Sequence, residues 1–207
     1  MPYPYCHLQF SKSCPLIRLH SQPLFQPFSL DPARPPFTVI SGGQTGVDRA
    51  ALDAAIQCGI PTGGWCPKDR RSEDGHIPSR YPLRQTASRS YAVRTEYNVR
   101  DSDGTLILLY GVLSSGTRLT LESANAQQRP LLTIDLNSPE NSQPTQIDTV
   151  AAWISLHKIR VLNIAGPRGS SSPRIYPLAL QFVSLLLRQV TGDLTQTINP
   201  PQQSPLR

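Results

Sequence analysis

The sequence predicts an α/β domain with a mostly parallel sheet, and three observations predict it. Short apolar runs rich in strand formers alternate with amphipathic helical segments. The strand–loop–helix order recurs regularly along residues 37–190. Three of the strands run out into Gly-rich turns, Ser41–Gly46, Gly111–Thr117 and Gly166–Ser172, and in such sheets ligands sit at the carboxyl ends of strands.

Phe37–Ile40 reads as the first strand, closed by Ser41-Gly42-Gly43. Val47–Cys58 reads as a helix. Arg49, Asp53 and Gln57, four apart, make a solvent stripe, while Ala51, Ala55 and Cys58 give another side small enough to pack closely on a sheet. Gly59 is its stop. Residues 61–85 have no periodicity and carry repeated glycine and proline signals, which predicts a long loop of functional length. Residues 88–98 suit a helix, with Tyr91 and Tyr97 as packing residues. Thr105–Tyr110 is a buried-type strand, Ser114–Arg129 a polar helix and Leu131–Asp135 the next strand. Ile147–His157 places Ile147, Val150, Ala151 and Ile154 at helical spacing, Val161–Ala165 is the last strand, and Leu178–Val190 is a strongly apolar helix stopped at Thr191-Gly192.

The boundaries follow. Residues 1–36, ending in Asp31-Pro32-Ala33-Arg34-Pro35-Pro36, form a flexible Pro-rich leader expected to add little to stability. Residues 37–190 are the domain, and 191–207 a flexible polar tail. A chain of 207 residues fits one domain with tails. No apolar run approaches the length of a membrane span, and the start lacks the long apolar stretch of a secretory signal. The four cysteines, Cys6, Cys14, Cys58 and Cys66, form no CxxC pair and no disulfide framework, so a reducing cytoplasm is the expected location. The net charge of +6 favours a small anionic ligand. Lysines are few and the arginines dispersed, which argues against nucleic acid as a partner. The Leu185-Leu186-Leu187 run turns apolar groups to more than one side, so its helix is either deeply buried or part of a homodimer interface, and a homodimer is expected.

Four constellations carry chemistry. In Ser41-Gly42-Gly43-Gln44-Thr45-Gly46-Val47-Asp48-Arg49 a Gly-rich turn opens a helix, so exposed backbone amides at the helix start can hold an oxyanion, with Thr45 and Gln44 adding donors. A plain tight turn is the alternative. Neither a Walker A loop nor GxGxxG is present. Asp48 either favours the helix start by its charge or accepts hydrogen bonds from a ligand hydroxyl or ring amine. Ser115, Gly116 and Thr117 begin a second helix and can grip an oxyanion. Glu122, four after Arg118, is a surface pair or a weak catalytic candidate. In the long loop, Trp65 suits stacking on a planar ring and Lys68 suits a phosphate. Cys66, Glu73, Asp74 and His76 match no zinc spacing, and no metal site is expected. Arg168, after the last strand, offers a forked contact to an anion or is an ordinary exposed arginine. No nucleophilic triad is visible and no G-x-S-x-G elbow occurs.

These strings, read together, resemble a known family. The run Ser41–Asp53 is similar to the opening signature of the putative molybdenum carrier family, the circularly permuted YpsA branch of the SLOG superfamily. Further matches are Gly63–Lys68, Glu73–Gly75, Ile77-Pro78, Tyr81–Leu83, Arg94-Thr95, Asn98-Val99, Ser102–Ile107, Gly116-Thr117, Leu162-Asn163 and Ala165–Arg168, in order across about residues 37–190. The resemblance implies a three-layer Rossmann-like fold. It implies that molybdenum cofactor, a pterin carrying phosphate, or a nucleotide is the ligand, and the chain a carrier of it. Some members of the wider superfamily cleave the N-glycosidic bond of nucleoside monophosphates through a Gly-Gly-x-Gly-Thr then Glu pattern, to which Ser115-Gly116-Thr117 and Glu122 are only partly similar. A phosphoribohydrolase-like hydrolase and a DNA-binding module therefore stand as alternatives. Three departures mark this chain. Asp69 stands where the family pattern has glycine, Gly169-Ser170 where it has Glu-Ser, and Arg174 where Gly precedes Ile-Tyr.

Overall fold

In the computed structural model, residues 37–137 and 143–192 are described; the leader, most of the tail, Cys6 and Cys14 lie outside them. The elements are β1 (Thr38–Ile40), α1 (Val47–Gln57), β2 (Thr62–Gly63), β3 (Trp65–Cys66), β4 (Arg71–Ser72), β5 (Gly75–His76), β6 (Arg84–Gln85), α2 (Tyr91–Arg100), β7 (Gly104–Leu109), α3 (Ser115–Ala126), β8 (Leu131–Asp135), α4 (Gln143–Leu156), β9 (Val161–Ala165) and α5 (Ile175–Thr191). Five strands form a central sheet in the order β2-β1-β9-β7-β8, and every pairing in it is parallel. Helices α1, α4 and α5 pack together on one face, and α2 and α3 against each other on the other. This is the three-layer Rossmann-like arrangement, and its switch point lies between β9 and β7, whose following helices α5 and α3 go to opposite faces.

The central strands are apolar on both faces because both are covered. Leu106, Ile107 and Leu108 are all fully buried, as are Leu162 and Ile164. The larger core joins Val39, Leu106, Leu108, Leu162 and Ile164 to the alanine face of α1 and to Phe182, Val183, Leu186 and Leu187 of α5. Of the leucine run, Leu186 and Leu187 are buried and only Leu185 turns outward, 40% exposed. Burial within the fold therefore accounts for most of that apolar run.

Helices α4 and α5 begin about one turn before the apolar periodicity that marks them. Each carries proline in its first turn, Pro144 and Pro177. There the missing N–H loses no intrahelical bond, so the proline that looks like a breaker is tolerated. α5 stops at Gly192, which takes the left-handed conformation (φ 78°).

Residues 61–85 are less irregular than their composition suggests. β2 extends the main sheet, β3 and β6 pair in parallel, and β4 and β5 form a tight hairpin with Glu73 and Asp74 at its tip. Arg70 organises the segment. Its guanidinium donates to the carbonyls of Ile77 (2.9 Å), Pro78 (2.8 Å), Tyr81 (2.9 Å) and Leu83 (3.2 Å). Ile77, Tyr81, Leu83 and Cys66 then form a second small core against Leu52 of α1. The Arg49/Asp53 stripe is consequently covered rather than solvated: Arg49 pairs with Asp74 (2.6 Å), and Asp53 accepts bonds from the hydroxyls of Tyr81 (3.0 Å) and Tyr176 (2.8 Å). Only Gln57 of that stripe is exposed. Periodicity marked these positions as non-core, which is correct for the main sheet, but a separate segment lies over them.

The loop after β1 crosses the loop after β9 at Gly46. Its backbone (φ 79°, ψ −129°) belongs to a region that only glycine occupies readily, and a Cβ there would overlap the Pro167 carbonyl oxygen. Gly46→Ala should therefore destabilise the fold by about 2 kcal/mol or more. Thermal unfolding checks this; an unchanged midpoint would contradict the crossing geometry.

Candidate functional site

An open cleft of about 210 Å³ lies at the carboxyl edge of the sheet, where the loops after β1, β9 and β7 come together. Three strand-end loops and one helix build it. Gln44 and Asp48 come from the β1–α1 connection, Ser114, Ser115 and Gly116 from the start of α3, and Gly166, Arg168 and Ser171 from the β9–α5 loop. The first half of α2 closes the side with Tyr91, Arg94 and Thr95.

Asp48 and Arg94 are its charged centre. Asp48 is 3% exposed, and its Oδ2 accepts from Arg94 Nη1 (3.1 Å) and from the Gln44 backbone N–H (3.2 Å). Burial pushes the Asp48 carboxyl above its ordinary value, opposed by the Arg94 charge and these two bonds. The Arg94 guanidinium lies against Gly42 with Nη1 nearest, where any side chain would overlap it, and its Nε is buried with no acceptor among the described residues.

The start of α3 faces the same cleft. The Ser114 side chain caps the helix by accepting from the Thr117 N–H (3.3 Å), and its hydroxyl also bonds that of Thr117 (2.8 Å). This uses the third amide of the helix and leaves those of Ser115 and Gly116, the first two, on the cleft wall. A Cβ built on Gly116 meets nothing within 4 Å.

The start of α1 is different. There the Val47 N–H donates to the Pro167 carbonyl (3.2 Å), the Gln44 N–H to Asp48, and the Thr45 N–H to the side chain of Gln44 (3.0 Å). These amides, which the sequence marks as donors for an oxyanion, are taken by the protein itself. The motif's glycines serve packing: Gly42 lies under Arg94, a Cβ on Gly43 would press into Leu83 and Ile77, and Gly46 lies against Pro167.

The other expected site residues divide in the same way. Gln44, Asp48, Ser115, Gly116 and Arg168 line the cleft; Thr45, Arg49, Trp65, Lys68 and Thr117 do not. Thr45 bonds Glu73 and accepts from the Gly169 N–H (3.0 Å). Trp65 donates its indole N–H to Asp101 (2.7 Å) and packs edge-on against Tyr97, away from the cleft. Lys68 is exposed at the start of a 3-10 turn, and Thr117 is buried behind its cap. Glu122 is exposed on α3, outside the cleft lining. The sequence reading missed the roles of Arg94, Thr95 and Tyr91, taking the last for a packing residue. Their signal was the spacing of Tyr91, Arg94, Thr95 and Asn98 along one face of a polar helix.

Glu73 ties two walls together. Its carboxylate takes the hydroxyls of Thr45 and Ser170, the Ser170 N–H (3.1 Å) and Arg168 Nε (3.3 Å), while its own N–H donates to the Gln44 side chain (3.0 Å). Partial burial opposes its ionisation, but the Ser170 and Thr45 bonds and the Arg168 charge outweigh it and hold its pKa below the ordinary value. Asp74, held chiefly by the bond from Arg49, is lowered to about 2.

A model of the circularly permutated YpsA SLOG family matches residues 39–187. The chain belongs to this family. It is also similar to a solved crystal structure, that of a "Putative molybdenum carrier protein" from Syntrophus aciditrophicus SB, with 45% identity over 73% of this chain and 95% of that one, and a TM-score of 0.71. Among the curated proteins, none matches. Of the three departures from the family pattern, Asp69 has a structural mark: it sits at φ 61°, where glycine would be unstrained. Among the described residues, no group of three or more His, Cys, Asp or Glu could hold a metal ion, and no helix is long and apolar enough to cross a membrane.

Glu73 and Asp74 titrate lower in the folded chain than in an unfolded one. The stability they contribute is therefore full above about pH 4.5 and is lost as the pH falls towards 2. Asp74 is 46% exposed, so solvent screens much of its share. Thermal midpoints measured between pH 7 and pH 2.5 should fall less for the Glu73→Gln/Asp74→Asn double variant than for the native chain. Parallel curves would contradict the assignment.

Proposed function

We propose that the chain binds a small phosphorylated heterocycle, a nucleotide or molybdenum cofactor, in the cleft, as a carrier. The observation that carries this reading is the meeting of the two uncommitted amides of α3 with Arg94, Arg168 and the buried Asp48 in one cleft. The phosphate lies at Ser115 and Gly116, where the helix start and two guanidinium groups favour an anion. The ring lies towards Asp48 and Arg94. The similar crystal structure is described as that of a molybdenum carrier, which favours the cofactor alternative, and the α3 amides, Asp48 and Arg94 are groups that would hold a phosphate and a pterin ring. The volume is below the roughly 300–1,000 Å³ of drug-sized pockets, so part of the ligand stays in solvent. This suits a carrier, which must release its cargo. The hydrolase alternative draws no support from Glu122, which is outside the cleft lining. A nucleic-acid role draws none from the surface arginines, of which Arg80, Arg89 and Arg100 are paired with Asp53, Asp69 and Asp101.

The two glycines test the placement. Gly116→Val points into open space and should fold, yet weaken binding of a nucleoside monophosphate by about tenfold or more, a loss of about 1.4 kcal/mol. Gly43→Val should instead lower the unfolding midpoint, because its side chain meets the small core. Calorimetric titration and thermal unfolding of both variants decide. A Gly116→Val protein that binds as tightly as the native chain would put the phosphate elsewhere.

We also propose that the chain pairs as a homodimer. Ile56, Tyr176 and Leu185, on α1 and α5, are 45%, 37% and 40% exposed, and such groups suit a face that is covered in a pair. Light scattering at micromolar concentration should give twice the monomer mass; a monomer would contradict it.

A further inference from the structure

We infer that the Asp48–Arg94 pair reads a lactam edge, a ring carbonyl beside a ring N–H, so that the ligand is an oxo-heterocycle of guanine, hypoxanthine or pterin type and not an adenine. This rests on the reading that the cleft holds a phosphorylated heterocycle, and it narrows the class of ring.

Two observations carry it. Asp48 is a buried carboxylate on the cleft wall, where a cationic Nη1 and a backbone N–H converge on its Oδ2. Both contacts are donors, so this carboxyl oxygen acts as a hydrogen-bond acceptor on the cleft wall. Arg94, also on the wall, spends Nη1 on Asp48, and among the described residues neither its buried Nε nor its Nη2, which is not fully buried, has an acceptor. A carboxylate next to a guanidinium with a donor to spare is an acceptor–donor pair. The edge that matches it offers an N–H to Asp48 and a carbonyl oxygen to Arg94. Guanine, hypoxanthine and the oxo form of a pterin present that edge. With the phosphate at Ser115 and Gly116 holding the ring in the same orientation, adenine presents the reverse, an amino group beside a bare ring nitrogen, and would set that lone pair against the carboxylate. Buried groups left without partners discriminate strongly, because the whole desolvation of the unmet group is lost. Gln44 adapts to neither ring, since its side-chain oxygen already accepts from Thr45 and Glu73.

The test is titration calorimetry of the full chain with guanosine, inosine and adenosine monophosphates and with ribose 5-phosphate. The two oxo-purine nucleotides should bind at least about tenfold more tightly than the adenine nucleotide. Asp48→Asn, whose amide can both donate and accept, should bring the three nucleotides within about threefold of one another. Equal binding of all three nucleotides to the native chain would overturn the lactam reading. If ribose 5-phosphate still bound, the anion site would survive it, and Asp48 would be read as a ribose acceptor. Failure of all four compounds to bind would remove both readings. The native comparison needs no variant, so it decides even if Asp48→Asn does not fold.

Discussion

The buried ion pair between Asp48 and Arg94 is the constraint around which the cleft is arranged. It joins the first turn of α1, on one face of the sheet, to the middle of α2, on the other. An isolated charge in such surroundings is costly, and each partner here offsets part of the other's burial cost. The pair also imposes requirements on its neighbours. The guanidinium needs Gly42 beneath it, since any Cβ would occupy its place. The carboxylate needs the Gln44 amide, which fixes the loop before α1 in a turn that bonds to itself. The pair thereby diverts that loop from anion binding and leaves the start of α3 as the helix terminus with amides to offer.

The hairpin and small core of residues 62–85 hold this arrangement from outside. Arg70 satisfies four carbonyls that an irregular segment would otherwise expose, which lets so short a set of strands keep one shape. The hairpin tip then delivers Asp74 to Arg49 and Glu73 to the β9–α5 loop. Both carboxylates work across loops rather than within them. The segment is thus a brace on the outer side of α1, and its length reflects the number of loops it must reach.

Much of the fold was legible in the sequence because burial imposes period. Leu131–Asp135 and Val161–Ala165 coincide with their strands, and the alanines of α1 meet the sheet as their spacing requires. The strand-end glycines correctly indicated the edge at which the cleft opens. What they did not indicate is what each glycine admits. A glycine marks a place where something comes too near for a Cβ, and the sequence cannot say whether that neighbour is a ligand or another part of the chain. At Gly42, Gly43 and Gly46 it is the chain. Arg94 escaped for a related reason. A single arginine on a polar helix looks like an exposed one, and its value comes from Asp48, 46 positions away. Trp65 suggested a stacking platform by its size and chemistry, but Asp101 and Tyr97 hold it elsewhere.

The departure at Gly169 gains its meaning from Glu73. The Glu73 carboxylate already takes the Ser170 N–H, and its Oε1 would lie 3.8 Å from a Cβ at position 169. A glutamate there, as the family pattern has it, would set a second carboxylate in the same small space, and two like charges at that range oppose each other's ionisation. With glycine at 169, Glu73 alone faces Arg168, at 3.3 Å. That pairing draws the guanidinium towards the wall and lessens the positive charge it presents to the cleft. Arg94 is similarly answered by Asp48. In the proposed binding mode the hold on an anion then rests less on net charge than on the oriented amides of Ser115 and Gly116, since Asp48 is the carboxylate on the cleft wall and it faces Arg94. Such donors hold a phosphate through direction and proximity, and a phosphate held that way can be given up when the rest of its molecule finds a better partner.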